Sequence, residues 1–505
     1  MNGQDNVIIR KLPTGVPGLD EILGGGLPEF SFNIIAGAPG GGKTTLAHQI
    51  VFANATPQRP ALFFTVLGEP ALKMLRYQQQ FEFFDHAKLN SSIRFVNLSQ
   101  VVLEKDLGAV LEEIVREVEA ANPAIVVVDS FRTVVRKAQS LAAPDIELQG
   151  FIQRLALHLT SWQATTFLIG EYTEGEIRDN PVFTVADGLI WLYQSVERNS
   201  IVRKMQVVKM RGQESVPGLH TFRITQSGMQ TFPRTFGLVG ESGQVKGRRR
   251  LSTGLAELDA MLGGGIPEGD SLLLAGPSGA GKSILATQFI AEGLRQGEPG
   301  IVAVFEEIPA EYVQRAASFG LDFTTPLKDG TLQIIYLRPL DLSVDETVHA
   351  IVDSVKKLGC KRLVIDSLSG FEMALAPGFR TDFRESLYRM IAVLTRLGVT
   401  IVSTVEIVET FTSMDLSNFT VSFLADDIVR MRYVSINGQL RKMILVVKMR
   451  RSEHAIDMHE YQISSKGIVI GSPMRGYRAL TSGIPSPWTF DSTETPLLRS
   501  DTPET

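Results

Sequence analysis

The segment Gly276-Pro-Ser-Gly-Ala-Gly-Lys-Ser283 decides the fold of the chain. An apolar run, residues 271–275, precedes it, and an amphipathic segment begins at Ile284, which gives the order strand, glycine loop, helix. Glycines let the backbone N–H groups of such a loop converge on phosphate oxygens, the lysine neutralises phosphate charge, and the serine can ligate Mg²⁺. The segment therefore predicts a nucleotide-binding loop of the P-loop type.

A second loop of this kind occurs earlier, as Gly37-Ala-Pro-Gly-Gly-Gly-Lys-Thr44. It too follows an apolar run, residues 32–36, and precedes a helical pattern, residues 45–53. The predicted nucleotide-binding residues are the glycines, the lysine and the flanking positions of both loops: Gly37, Gly40, Gly41, Gly42, Lys43, Thr44 and Thr45 in the first, and Gly276, Gly279, Ala280, Gly281, Lys282, Ser283 and Ile284 in the second.

The two loops belong to a duplication with an offset of 239 residues. Lys43 recurs as Lys282, and Val207-Val-Lys-Met-Arg211 recurs unchanged as Val446-Val-Lys-Met-Arg450. The offset is too long for a solenoid and suits a duplicated domain. We expect a first domain at residues 7–236, a linker at 237–250, a second domain at 251–470 and a flexible tail at 471–505.

Each half alternates short apolar runs with amphipathic segments of helical period. The predicted buried strands are 61–66, 124–129 and 165–170 in the first half, and 301–305, 362–366 and 400–404 in the second. This alternation is typical of an α/β fold in which helices flank a mainly parallel sheet. The sequence therefore predicts two tandem α/β P-loop domains.

Composition narrows the possible partners and compartments. The chain has 505 residues, a formal net charge of −5 and one cysteine, Cys360. An acidic total does not favour nucleic acid as a partner, and a lone cysteine fits a reducing compartment without an intramolecular disulfide. The first residues have no signal-peptide pattern, and no apolar run is long enough to cross a bilayer. We expect a cytoplasmic protein with no membrane contact.

Two aspartates are predicted to complete the nucleotide sites. Asp129 and Asp366 each follow a run of aliphatic residues and precede a serine. Such an aspartate could simply cap a turn, but a P-loop upstream in each half favours a magnesium-side carboxylate. The expected Mg²⁺ ligands are thus Thr44 and Asp129 in the first domain, and Ser283, Asp366 and Glu306 in the second.

Phosphate transfer also needs a group that activates water or a hydroxyl, and here the halves differ. Glu306 and Glu307 follow a predicted strand, where a carboxylate pair can act as a base, although it could also be a surface charge pair. The first half has Leu67 and Gly68 at these positions, with Glu69 just beyond. The first domain is therefore expected either to hydrolyse weakly or to use Glu69, and we favour Glu69.

Together these motifs resemble the tandem-domain KaiC-type ATPases of the RecA fold. The resemblance covers residues 7–474 and includes both P-loops, Glu306-Glu307 and the repeated Lys-Met-Arg segments. It implies a hexameric double ring that binds ATP and Mg²⁺ between neighbouring subunits, with Lys209, Met210, Arg211, Lys448, Met449 and Arg450 contributing to the neighbour's nucleotide. It also implies that Phe319 packs near the adenine. The basic residues could instead form a strand's solvent face, and Phe319 could belong to the core.

Clock-type members of the family also phosphorylate a Ser-Thr pair in the second domain, which aligns here with Ser422-Phe423. The serine matches and the threonine does not, so the resemblance implies serine/threonine autokinase activity with Ser422 as its site. The favoured hypothesis is an ATPase that signals to regulatory proteins. The fold also allows a RecA-like DNA-dependent ATPase or recombination accessory, and the substitution at Leu67-Gly68 allows a nucleotide-sensing scaffold with an inactive first ring.

Overall fold

The computed structural model describes residues 9–66, 71–138, 144–161, 163–197, 200–234, 249–337, 343–375, 383–407, 425–478 and 485–487. These residues form two compact units, one containing the described residues up to 234 and the other those from 249 onward. Within these ranges, no helix combines the length and the apolar character that crossing a membrane requires.

The first unit contains eleven described strands and nine described α-helices. The strands are β1 (Lys11–Leu12), β2 (Leu27–Pro28), β3 (Phe32–Gly37), β4 (Ala61–Thr65), β5 (Ile93–Asn97), β6 (Ile125–Asp129), β7 (Thr165–Glu171), β8 (Gly188–Glu197), β9 (Ser200–Met210), β10 (His220–Thr225) and β11 (Gly228–Phe232). The helices are α1 (Leu19–Ile22), α2 (Lys43–Asn54), α3 (Ala71–Gln78), α4 (Ser99–Glu104), α5 (Leu107–Ala121), α6 (Phe131–Ala138), α7 (Pro144–Ser161), α8 (Glu176–Asp179) and α9 (Pro181–Val185), with a 3₁₀ turn at His86–Lys88.

The second unit repeats this order. Its described strands are β12 (Arg250–Leu251), β13 (Ile266–Pro267), β14 (Ser271–Gly276), β15 (Gly300–Val304), β16 (Leu332–Tyr336), β17 (Arg362–Asp366), β18 (Thr400–Glu406), β19 (Asp427–Ile436), β20 (Gln439–Met449), β21 (His459–Ser464), β22 (Gly467–Pro473), β23 (Tyr477–Arg478) and β24 (Ser486–Pro487). Its described helices are α10 (Ala256–Met261), α11 (Lys282–Arg295), α12 (Pro309–Ser318), α13 (Thr324–Lys328), α14 (Val344–Leu358), α15 (Leu368–Ala374) and α16 (Phe383–Arg396).

Each unit has one nine-stranded sheet with the P-loop strand at its centre. The order is β11-β10-β9-β8-β3-β7-β6-β4-β5 in the first unit and β22-β21-β20-β19-β14-β18-β17-β15-β16 in the second. Six strands are parallel, and the last three continue as antiparallel neighbours. The two orders are equivalent strand by strand. The predicted α/β class with two RecA-like domains is confirmed.

The central strands are mostly apolar and buried along their whole length because helices cover both faces of a parallel sheet. Every residue of β3 and β14 is buried. The flanking helices present an apolar stripe, as in α5, where Val110, Ile114 and Val118 are buried at helical spacing. The helical spacing of the apolar residues therefore indicates which side of α5 is buried.

The repeated entrance segments have a structural explanation. Thr14 donates its hydroxyl to Asp20 at 2.7 Å, and Thr253 donates to Asp259 at the same distance. The backbone N–H of each threonine bonds to the same aspartate oxygen. These bonds close the turn that leads into α1 and α10, which accounts for the recurrence of Thr-Gly and Leu-Asp 239 residues apart.

Some elements lie beyond the predicted end of the second domain. Strand β22 continues to Pro473, and β23 pairs with β24, so residues after 470 include hydrogen-bonded strands. The predicted boundary at residue 470 is not fixed by these pairs and stays a prediction.

The core of the first unit contains an unusual histidine, His48 on α2. Its ring packs edge-on against Phe63 with centroids 4.5 Å apart, and Phe52 and Phe95 lie about it. Neither ring nitrogen has a hydrogen-bond partner among the described residues. Burial lowers the pKa of His48 to about 3, so the imidazole is neutral in the folded chain.

We expect His48 to make the stability of the first domain depend on pH. The unfolded chain binds a proton at His48 below the ordinary pKa of 6.5, whereas the folded domain does not until about pH 3. Stability therefore falls as pH is lowered from 6.5 toward 3. Replacing His48→Leu should remove this part of the pH dependence, on the order of 2 kcal/mol between pH 7 and pH 5. Urea denaturation followed by tryptophan fluorescence measures it, since Trp191 is buried in the same unit.

The matched control is His86→Leu, because His86 is exposed in the same domain. It should retain the pH dependence of the wild type. An unchanged dependence in His48→Leu would show that the imidazole is charged or solvated in the folded domain.

Candidate functional site

The second P-loop connects β14 to α11 and has the geometry of a phosphate cradle. Gly279 and Gly281 have φ angles of +74° and +99°, a region that favours glycine. Gly281 is the N-cap of α11, so the free N–H groups of that helix open onto the loop. The ammonium group of Lys282 donates to the carbonyl oxygens of Gly276 and Pro277, both at 2.8 Å. It thus lies directly against the loop.

A hydroxyl–carboxylate cluster stands beside this loop. The Ser283 hydroxyl donates to Asp366 Oδ1 at 3.0 Å, and the Thr404 hydroxyl donates to the same atom at 2.6 Å. These side chains come from α11, β17 and β18, whose parallel strands end at one edge of the sheet. A serine hydroxyl beside a carboxylate is an oxygen donor set of the kind that Mg²⁺ prefers. The arrangement therefore fits a magnesium ion.

The paired glutamates lie in the same cleft but in different surroundings. Glu307 forms an ion pair with Arg315, whose Nη2 lies 2.9 Å from Oε2 and whose Nε lies 3.2 Å from both carboxylate oxygens. Glu306 instead accepts a hydrogen bond from the Ser367 hydroxyl at 2.8 Å. The two carboxylates are therefore not equivalent, since only Glu307 is neutralised by a guanidinium.

The cleft between these groups has a volume of about 320 Å³. It is lined by the P-loop, the carboxylates and their partners: Ser278, Gly279, Gly281, Lys282, Ser283, Ile284, Glu306, Glu307, Arg315, Asp366, Ser367, Thr404, Glu406 and Ile463. Burial lowers the pKa of Lys282, and the carboxylates of Glu406, Asp366 and Glu306 oppose that change. Four acidic and two basic side chains line the cleft. The formal charge of the side chains that line the cleft is therefore negative.

The first domain repeats the core of this arrangement. Lys43 donates to the carbonyl oxygens of Gly37 at 3.1 Å and Ala38 at 2.7 Å. The Thr44 hydroxyl donates to Asp129 Oδ2 at 2.7 Å. Burial lowers the pKa of Lys43, whereas Glu171 and then Asp129 raise it. Glu171 ends β7 as Glu406 ends β18, so each P-loop lysine has a carboxylate at this strand end.

Other parts of the second cleft have no counterpart in the first domain. Sheet register places Ile169 where the second domain has Thr404, since Ile35 pairs with Ile169 as Leu274 pairs with Thr404. Leu67 and Gly68 replace the glutamate pair in the sequence. Glu69, the predicted substitute, lies outside the described residues. The first domain therefore shares the predicted phosphate and metal groups but lacks the paired carboxylates.

The Lys-Met-Arg segments lie at the opposite edge of each sheet from the P-loop. Met449 pairs with Asp427, which in turn pairs with Leu272 near the start of β14, whereas the P-loop follows the end of that strand. Four residues of strand separate Leu272 from Gly276, about 13 Å. Lys448 donates to the carbonyl oxygen of Ala425 at 2.7 Å. The bonds given for Lys448 and Arg450 are therefore made at the end of the sheet away from the phosphate loop of their own domain.

The remaining residues of these segments have structural contacts. Arg450 and Arg211 form ion pairs with the equivalent aspartates Asp426 and Asp187, at 3.4 and 3.2 Å. Lys209 donates to Thr184 O at 3.2 Å. Met210 and Met449 pack against the cores of their units.

Two further residues were predicted to have a role in the second domain, Phe319 near the adenine and Ser422 as a phosphorylation site. Phe319 is the C-cap of α12, half-buried, and is not part of the cleft lining. Ser422 lies outside the described residues.

Sequence reasoning missed Arg315, Thr404 and Glu406. The internal repeat contained a signal for two of them, because Arg76 stands 239 residues before Arg315 and Glu171 ends the strand equivalent to that of Glu406. Thr404 has no such signal, since Ile169 replaces it.

The fold and the two P-loops define a tandem RecA-like nucleotide-binding protein. The family model for KaiC ATPases matches the chain twice, at residues 12–235 and 251–475. The chain therefore belongs to the KaiC family of ATPases, which confirms the resemblance found in the sequence.

Relatives in this family match over nearly the whole chain. The chain is 29% identical over 493 residues to the circadian clock oscillator protein KaiC of Rippkaea orientalis, covering 96% of this chain and 93% of that protein. It is 27% identical over 498 residues to the circadian clock protein KaiC3 of Synechocystis sp., covering 96% of each.

An acidic cluster lies beneath the second Lys-Met-Arg segment. Asp427 and Asp270 are fully buried, and Asp426 is nearly so. Burial, together with the neighbouring charges of Asp270 and Asp426, raises the pKa of Asp427 to about 7, while Arg450 and Arg250 act against the change. The first domain has Gly188 at the position of Asp427.

We expect Asp427→Asn to stabilise the second domain above neutral pH. Because the folded pKa exceeds the unfolded value of 3.8, the folded domain binds more protons between these values, and wild-type stability falls as pH rises from 4 to 7. The advantage of the variant should grow by about 2 kcal/mol between pH 5 and pH 8. Urea denaturation measures it, with hydrogen exchange of β19 peptides assigning the transition to this domain.

Asp353→Asn is the control for this substitution, because Asp353 is exposed on α14 of the same domain. It should show no pH-dependent gain. An equal gain in both variants would mean that loss of net charge, rather than the buried position, stabilises the domain.

Proposed function

We propose that the chain binds Mg²⁺-ATP in both domains, hydrolyses it, and transfers phosphate to Ser422 in the second domain. The observation that supports this best is the second cleft, in which a P-loop, a hydroxyl–carboxylate pair and two glutamates face one space. A site that only bound nucleotide would not need the two glutamates beyond the metal-side aspartate.

The proposed roles follow from the contacts. The P-loop N–H groups and Lys282 hold the outer phosphates, and Ser283 and Asp366 hold the metal, with Glu306 close by. Mg²⁺ supplies neutralisation of phosphate charge when bound. Glu306 accepts the proton of the attacking water or hydroxyl, because Glu307 is occupied by Arg315.

In the first domain we propose ATP binding through Lys43, Thr44 and Asp129. Its weaker hydrolysis would use Glu69, the nearest carboxylate in sequence to the missing pair. The domains that carry these activities are proposed to span residues 7–236 and 251–470, with a linker at 237–250 and a tail at 471–505.

The placement of the Lys-Met-Arg segments supports a homohexamer. Each domain has its phosphate loop at one sheet edge and its repeated cations at the other, so a second copy is the natural source of cations for each site. We propose that Lys209, Arg211, Lys448 and Arg450 contact the neighbour's nucleotide. We also propose that Phe319 packs near the adenine.

A signalling role is the proposed use of this chemistry. The relatives named above are circadian clock proteins, and nucleotide state is a means of exposing or hiding a surface for another protein. We therefore propose regulatory protein partners in the cytoplasm and a clock-like or signalling pathway.

The test is incubation of the purified protein with Mg²⁺ and γ-labelled ATP, following free phosphate and protein-bound label together. Glu306→Gln should lower the second-domain rate by about 10²–10⁴-fold, because it removes the proposed base. Lys282→Ala removes the second site and reports what the first domain contributes. Ser422→Ala should abolish protein-bound label and leave phosphate release intact.

Each outcome separates two parts of the proposal. Phosphate release without label on the protein would leave an ATPase and exclude the autokinase. Tight ATP binding with no release from either domain would support a nucleotide-sensing scaffold instead.

A further inference from the structure

Arg315 on α12 holds two carboxylates of the second cleft at once. Its guanidinium forms the ion pair with Glu307 described above, and its Nη2 also lies 3.5 Å from Asp366 Oδ2. Its side chain is one-quarter exposed, so the pair is shielded but still borders the cleft. A fork of this kind fixes a carboxylate in direction as well as in position, which a lysine cannot do.

A second set of contacts fixes the guanidinium itself. It lies 4.6 Å from the centre of the Tyr312 ring, one turn earlier on α12. Tyr312 is fully buried, and its hydroxyl lies 3.0 Å from that of Thr287, which donates to the Ser283 carbonyl oxygen at 2.7 Å. Burial raises the pKa of Tyr312, so the hydroxyl stays protonated and able to donate.

These contacts form a closed circuit around the active groups. It runs from the P-loop helix through Thr287 and Tyr312 to Arg315, then through Asp366 back to Ser283. Glu307 is attached to it at Arg315. Side-chain contacts, in addition to the backbone of the loop after β15, therefore fix the position of the Glu307 carboxylate relative to the P-loop helix.

The internal repeat shows that the circuit belongs to the second domain only. At the equivalent positions the first domain has His48 for Thr287, Lys73 for Tyr312 and Gly68 for Glu307. Arg76 takes the place of Arg315, but it is exposed. Arginine is therefore half-buried beside the cleft where the glutamate pair is present, and exposed where that pair is replaced.

We propose that Arg315 is a positioning residue for phosphate transfer in the second domain. By holding Glu307 toward Asp366, it keeps Glu307 away from the attacking group and leaves Glu306 as the glutamate of the pair with no guanidinium partner among the described contacts. This inference rests on the proposed function of the same cleft. Its effect is expected on the rate of transfer, since the bonds of Lys282 to the loop and of Ser283 to Asp366 are made by groups other than the guanidinium.

The test compares Arg315→Gln with wild type in phosphate release and in binding of a fluorescent ATP analogue with Mg²⁺. We expect kcat of the second domain to fall about 10–100-fold, with less than a threefold change in Kd. The rate that remains in Lys282→Ala is subtracted as the contribution of the first domain. Arg315→Lys should recover only part of the rate, because it retains the charge without the fork.

A double-mutant cycle separates positioning from a structural effect. In a Glu307→Gln background, Arg315→Gln should cost less than threefold, because the carboxylate it positions is gone. Additive losses, or a loss of ATP affinity equal to the loss of rate, would overturn the inference. Arg76→Gln, at the equivalent exposed position, is the matched control and should leave both quantities unchanged.

The proposed function and this inference fail differently. Absence of second-domain phosphate release in the wild type would remove the proposed function. Wild-type release that Arg315→Gln does not change would remove the inference alone.

Discussion

The bond between a P-loop hydroxyl and an aspartate two strands away is the contact on which each site depends. Ser283 reaches Asp366 at 3.0 Å and Thr44 reaches Asp129 at 2.7 Å, although β18 or β7 lies between the two strands concerned. The contact is possible only when three parallel strands end at one edge. Register therefore determines the site: a one-residue shift of either strand would turn the aspartate to the other face.

The same constraint explains why the two domains could diverge in chemistry without diverging in fold. The sheet orders are equivalent, and the bonds from each P-loop lysine to its loop carbonyls recur. What differs are side chains that extend from this frame. Thr404 is replaced by Ile169 and Tyr312 by Lys73, which changes what surrounds the carboxylate without moving a strand. The two domains therefore share the sheet and the P-loop contacts, whereas the side chains around the metal-side aspartate differ between them.

Sequence alone predicted the fold class, the duplication and the family because these depend on local patterns. A strand, a glycine loop and a helix are consecutive in the chain, so their order can be read directly. Arg315 could not be placed in this way, since α12 contacts Asp366 only through the folded sheet, 51 residues apart in sequence. Nor could spacing show that Lys448 lies at the far sheet edge, because that depends on the reversal between β19 and β20.

That reversal makes a single domain incomplete for the proposed chemistry. Strand β20 runs antiparallel to β19, so it returns its basic end to the edge opposite the P-loop. If the Lys-Met-Arg end of one copy contacts the P-loop end of the next, the interface is heterologous. Such head-to-tail contacts either close into a ring or extend as a filament. In the second domain, the buried acidic cluster of Asp270, Asp426 and Asp427 lies beside the Lys-Met-Arg segment. The first domain has Ser31 in place of Asp270 and Gly188 in place of Asp427. Under the proposed assembly, the repeated cations would lie beside three aspartates in one ring and beside Asp187 at the equivalent position in the other.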